Sequence, residues 1–157
     1  MSETNKEKLP QNMQNLLMEI GEKSVLFQLF ILAKDTNWDV YYNLGEVGCD
    51  LVLIENNSNK KIKIEVKTRQ RMYSTSKDKN ITHFTVTELE RNSSDYIICY
   101  WFEENAFFIV PVNELSQTSS NGKAIFKFIV RKCADGNFDS KSQNYLNNWC
   151  TIKELLN

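Results

Sequence analysis

The sequence has little net charge, a single histidine, no paired cysteines and no apolar run of membrane-spanning length, and each absence removes a class of function. A formal charge of -1 removes the globally basic domain that often marks nucleic-acid binding, so such a role has to come from a local patch. The first residues are polar, with no apolar run leading to a cleavage site, and no stretch approaches the roughly 20 apolar residues of a spanning helix. A soluble cytoplasmic protein with no membrane partner is expected. Cys49, Cys99, Cys133 and Cys150 are dispersed, with neither a CxxC pair nor zinc-ligand spacing, and read as free thiols in a reducing compartment. His83 stands alone, so local hydrogen bonding is its ordinary role and histidine-based catalysis is disfavoured.

The 157 residues contain no linker, repeat or low-complexity tract, which suits one domain with a sizeable core. Residues 1–11 are expected to form a flexible N-terminal segment and 12–157 a single domain. From Met13 to Lys34 there is no proline; Leu17, Ile20, Phe27 and Ile31 recur at helical spacing, with a second set around Leu26, Leu29 and Ala33. That pattern predicts a long helix packed on more than one side. Short strands are expected at Val40 to Leu44 and Cys49 to Ile54, parted by a bend at Gly45 to Gly48. From Lys61 to Lys67, Ile62, Ile64 and Val66 alternate with charged residues, the mark of a strand with one buried face. Arg69 to Asn80 reads as a polar loop. Phe84 to Asn92 reads as a short helix capped by Thr85 or Thr87, each three residues ahead of a glutamate. Strands at Tyr96 to Phe102, Ala106 to Val110 and Ala124 to Val130 lead to a helical tail from Ser142 to Leu156. This order predicts an α/β or α+β sandwich around a central mixed sheet. Trp38, Tyr41 and Tyr42 read as core or rim residues, and Tyr145, Trp149 and Ile152 as cover for a sheet face or a dimer interface.

The segments 49–54 and 61–67 fold back on one another through a turn at Asn57-Ser58. One register sets Leu51 opposite Ile64, Leu53 opposite Ile62 and Glu55 opposite Lys60, so hydrophobic pattern and charge agree on it. The same register sets Asp50 opposite Glu65. Two facing carboxylates destabilise a sheet unless something positive lies between them. A divalent cation resolves the conflict, because carboxylate and main-chain carbonyl oxygens suit a hard ion such as magnesium. The Val66 main-chain carbonyl is a candidate third ligand by position. Glu65 and Lys67, two apart on one strand, share a face, which sets a cation beside the metal. Glu22 heads a helical stripe with Leu26, Leu29 and Ala33; an unpaired buried carboxylate there is costly, so Glu22 is expected to border a wet site.

Between Lys60 and Lys79 stand Lys60, Lys61, Lys63, Lys67, Arg69, Arg71, Lys77 and Lys79 against only Glu65 and Asp78, a local charge of +6 that leaves -7 for the remainder. Lys61 and Lys63 share the strand face of Glu65 and Lys67. Together with Arg69, Gln70, Arg71, Lys77 and Lys79 they form a candidate surface for a phosphate backbone, against the plainer reading of a solvated face.

Helix acid Glu22, strand acid Asp50 and the run Glu65-Val66-Lys67, in that order, resemble the PD-(D/E)xK nuclease superfamily, the restriction-endonuclease-like fold that includes archaeal-type Holliday junction resolvases. The resemblance spans Glu22 to Val110 and departs at the signature proline, since Asp50 follows Gly48-Cys49. It implies a central mixed sheet flanked by helices and a magnesium-dependent endonuclease that hydrolyses DNA phosphodiester bonds, with manganese as a substitute ion. Glu22, Asp50, Glu65 and Lys67 would be the catalytic set, with Asp50, Glu65, the Val66 carbonyl and Glu22 toward the metal. A homodimer is expected, because cutting both strands calls for two centres, and RNA stays open as a substrate beside DNA. Two other classes remain: a noncatalytic nucleic-acid-binding or interaction module that kept the fold, and a phosphohydrolase acting on a small nucleotide.

Overall fold

The long proline-free stretch forms helix α1, Gln11–Ala33, in the computed structural model, which describes residues 9–44, 48–70 and 81–157. Pro10 precedes its first turn, where a missing N–H costs no helical bond. The buried stripe of α1 is Gly21, Val25, Leu29 and Ala33, with Leu26 partly buried beside it. Phe27, Phe30 and Ile31 are each more than half exposed. The expected packing on a second side is therefore not found among the described residues, because one sheet face meets the helix and nothing described covers its outer side.

That sheet is built from β1 (Trp38–Tyr42), β2 (Leu51–Glu55), β3 (Lys61–Arg69), β5 (Tyr96–Trp101) and β6 (Ala106–Pro111), in the order β1-β2-β3-β5-β6. Only the β3 to β5 contact is parallel, so the sheet is mixed. The β2–β3 hairpin has the expected register, with Leu51 opposite Ile64 and Leu53 opposite Ile62, and the Glu55 N–H donates to the Lys60 carbonyl at 2.9 Å. One face packs Ile62, Ile64, Val66, Ile98 and Ile109 on Val25 and Leu29 of α1. The end of the C-terminal tail covers part of the same face: helix α4 (Cys150–Lys153) brings Ile152 into this core, and Trp149 just before it lies 5.3 Å from Phe107, ring centre to ring centre. Helix α3 (Ser140–Gln143) lies against the strand Lys123–Arg131 on the other side.

The other face packs on a second sheet of β4 (Ile81–Thr87), β8 (Lys123–Arg131) and β7 (Ser116–Ser120), in the order β4-β8-β7. Its core holds Phe84, Val86, Ile97, Phe108, Phe128 and Val130. Two expectations change here. Phe84 to Thr87 is strand, because Phe84 and Val86 alternate with outward residues and bury against Phe128 and Phe126. The helix α2 (Glu88–Asn92) begins only where the Thr87 hydroxyl accepts the Glu90 N–H at 3.2 Å. The edge strand β7 has no apolar residue to betray it; the signal is the Asn121-Gly122 pair, whose φ angles of 50° and 76° make the two-residue turn that joins it to β8. Residues 1–8 and the span 71–80, with Arg71, Lys77 and Lys79, lie outside the described residues. All four cysteines are free, and among the described residues no helix is long and apolar enough to cross a membrane.

Helix and sheet are in tight contact at Gly21, where a Cβ would collide with the Thr68 hydroxyl of β3. Gly21→Ala is expected to lower stability by about 1–3 kcal/mol despite the better helix propensity of alanine, and Thr68→Ala in the same chain to recover part of the loss, both read from urea unfolding midpoints.

Candidate active site

Strand β3 outruns its partner. Pairing with β2 reaches Ile64, whereas β3 continues to Arg69 along β5. From Glu65 onward the β2 side of β3 is a bare edge among the described residues. The Asp50 N–H donates to the Ile64 carbonyl at 2.9 Å, and the Val66 N–H donates to Asp50 Oδ2 at 2.8 Å. Residues two apart on a strand present their polar backbone atoms to the same side, so the Val66 carbonyl faces this edge as well. Glu65 and Lys67 lie opposite Ile97 and Cys99 and share their face, toward the second sheet.

Asp50 is fixed from several directions. Its carbonyl accepts the Asn43 N–H at 3.0 Å, and the Asn43 amide donates to the Cys49 carbonyl at 3.0 Å. Gly48 has φ of 112°, and a Cβ on it would lie 2.4 Å from the Ser93 Cβ. The Ser94 hydroxyl donates to the Gly48 carbonyl at 3.2 Å. The C-terminal end of α2 thus grips the backbone two residues before Asp50.

Glu65 is only 6% exposed and lies beside the Asp50 carboxyl, close enough to feel its charge. Burial, then the Asp50 charge, push the Glu65 carboxyl up to about 8, although Lys67 pulls the other way. Asp50 is also held above its ordinary value by burial, against the opposing pull of the Val66 N–H and the Lys67 charge. Lys67 Nζ lies 3.1 Å from Glu65 Oε1 and 2.5 Å from Glu90 Oε2. Burial alone would favour the neutral amine, but the two carboxylates outweigh it and hold Lys67 above its ordinary pKa. In this arrangement Lys67 is a cation and not a proton acceptor.

Glu22 reaches the same neighbourhood from α1: burial, then the Asp50 charge, raise its carboxyl. Among the described residues no three Asp, Glu, His or Cys side chains are grouped to hold a metal. Two adjacent carboxylates and one outward carbonyl are hard oxygen donors that fit magnesium, which binds through few protein ligands and keeps several waters. Lys61 is exposed and Lys63 half-buried on the Glu65 face. Gln70 is half-buried beyond β3, where its carbonyl accepts the Glu103 N–H at 3.1 Å. Arg69 reaches across to β4, its Nε donating to the His83 carbonyl at 3.3 Å.

Sequence reasoning missed Glu90. Thr87-x-x-Glu90 reads as a capping box, in which the glutamate side chain turns back to the cap. Only the backbone half of that box forms, and the Glu90 carboxylate goes to Lys67 instead.

Among solved structures, the chain is similar to a bacterial homing endonuclease, with a TM-score of 0.61 and 18% identity over 90% of this chain and 93% of that one. It is also similar to the Holliday junction resolvase of the archaeal hyperthermophile Archaeoglobus fulgidus, with a TM-score of 0.56 and 16% identity over 87% of this chain and 95% of that one. The fold is therefore restriction-endonuclease-like. No family model matches the sequence, and no curated protein matches it.

The raised Glu65 pKa has a sign that can be measured. The folded protein binds a proton that the unfolded chain releases above the ordinary value of 4.5, so this stability is complete below that value and is lost as pH rises through about 8. The Tm of the metal-free protein is expected to fall between about pH 5 and about pH 8, and Glu65→Gln to flatten that decline.

Proposed function

We propose that this chain is a divalent-metal-dependent deoxyribonuclease, an endonuclease that hydrolyses DNA phosphodiester bonds, within one nuclease domain over residues 12–157. The observation that carries this reading is the juxtaposition of Asp50 and Glu65 where the pairing of β2 with β3 ends, with Lys67 Nζ 3.1 Å from Glu65. A purely structural pair gives no account of two carboxyl groups kept in a costly contact beside a strand edge that no described residue pairs with. The restriction-endonuclease-like fold supports the same reading.

Asp50, Glu65 and the Val66 carbonyl would hold the metal, and a bound magnesium or manganese ion would supply Lewis-acid chemistry toward a phosphate oxygen and water. Lys67, kept protonated by Glu65 and Glu90, donates to the phosphate and offsets charge that grows during in-line attack. Glu90 is a positioning residue that acts through Lys67. Glu22 supports water at the border of the site. The adjoining sheet face presents exposed Tyr41 and Lys61, which suits a polymer running past the edge better than an enclosed mononucleotide. A homodimer brings two such centres to one duplex.

Incubation with linear, circular, branched and single-stranded DNA and with RNA, with and without magnesium or manganese, tests the reading. Metal-dependent DNA cleavage is expected, with Glu65→Ala and Lys67→Ala each slowing it at least about 100-fold and Glu90→Gln about tenfold, mainly in kcat. Cleavage unchanged by both alanine variants would refute the site, and DNA binding without cleavage of any substrate would favour the noncatalytic module.

A further inference from the structure

The second sheet carries a charge pattern that the window from Lys60 to Lys79 does not include. Strands β4, β7 and β8 contain no aspartate or glutamate, in a chain with 20 such residues. On β8, Lys123, Lys127 and Arg131 recur every fourth residue, so strand alternation turns all three to one face. That face is the outer one, since Phe126, Phe128 and Val130 fill the core. Cross-strand register completes it: Lys127 stands between Ser116 of β7 and Thr85 of β4, and Lys123 stands opposite Ser120. Along β8 these cations alternate with Ile125 and Ile129, and hydroxyls of β7 and β4 flank them, while the three strands themselves hold no aspartate or glutamate.

We propose that this outer face of β4-β8-β7 docks the sugar-phosphate backbone of duplex DNA, continuing the path of the polymer from the carboxylate edge by way of Arg69. Lysine and hydroxyl groups are the donors that phosphate oxygens take, and such contacts hold a duplex in place without reading its bases. Along β8 the lysines stand about 13 Å apart, a spacing that follows a backbone and exceeds the span of any single small anion. Continuity with the site comes from the Arg69 Nε bond to the His83 carbonyl, which ties the end of β3 to β4. His83, exposed on the same outer face, is held below its ordinary pKa by partial burial and then by the charges of Lys127 and Arg69, the sign of a positive local field. The surface rests on the nuclease reading for this continuity, and its test reads binding separately from cleavage.

The measurement is fluorescence anisotropy of a labelled duplex over a salt series, with chelator present to prevent cleavage. Lys123→Ala with Lys127→Ala is expected to weaken binding about tenfold at low salt and to lower the slope of log affinity against log salt by about 2. Lys127→Arg is expected to bind as wild type. A control pair on the opposite layer, Lys34→Ala with Lys153→Ala, is expected to leave the slope unchanged. An unaltered slope in the Lys123 and Lys127 variant, an equal loss in the control pair, or wild-type protein that binds RNA and not duplex DNA overturns the surface. Magnesium-dependent cleavage alongside any of those results leaves the nuclease reading standing. Slope loss in a protein that never cleaves refutes the nuclease reading and keeps the surface.

Discussion

The contact between the Asp50 and Glu65 carboxyl groups is imposed by the hairpin that carries them. Sliding β2 by one residue against β3 would turn Leu51 and Leu53 away from the core, at about 1.5–3 kcal/mol each. A facing pair of like charges costs on the order of 1 kcal/mol on a sheet surface. Hydrophobic burial wins, and the carboxylates have to be accommodated where they fall. The fold does so with the Val66 N–H, with Lys67, and with a proton retained by the pair.

Everything around that contact holds it open to one side. β2 stops where the pair begins, leaving the β3 edge and the Val66 carbonyl uncovered among the described residues. Gly21 lets α1 press on Thr68 and brings Glu22 near. The far end of α2 holds Gly48, and its first turn sends Glu90 to Lys67. One five-residue helix therefore sets both the Asp50 backbone and the charge of the lysine. A small shift of α2 would disturb the two together, so its cap at Thr87 matters more than its length implies.

Much of this was legible in the sequence. The hairpin register follows from alternation of Ile62, Ile64 and Val66 against Leu51 and Leu53, and it brings Asp50 to Glu65. Thr87 was legible as a cap. The use of the Glu90 side chain was not, because a capping box and an ion pair to a distant strand have the same local spacing. The outer face of α1 misled, since Phe27 and Ile31 are periodic but unburied. Strand β4 was hidden by glutamates just beyond it, and β7 by its lack of apolar residues. The row on β8 is not legible in the sequence, because its cations are separated by core residues and charge counted along the chain does not register a sheet face.

The most direct test of the central claim is where a divalent ion sits. Manganese titrated into isotopically labelled, DNA-free protein broadens NMR signals near the bound ion. The expected result is selective broadening of the amides of Asp50, Leu51, Glu65, Val66 and Lys67 at substoichiometric metal, abolished in Glu65→Ala. Broadening centred elsewhere, or spread evenly over exposed carboxylates, would contradict the assignment.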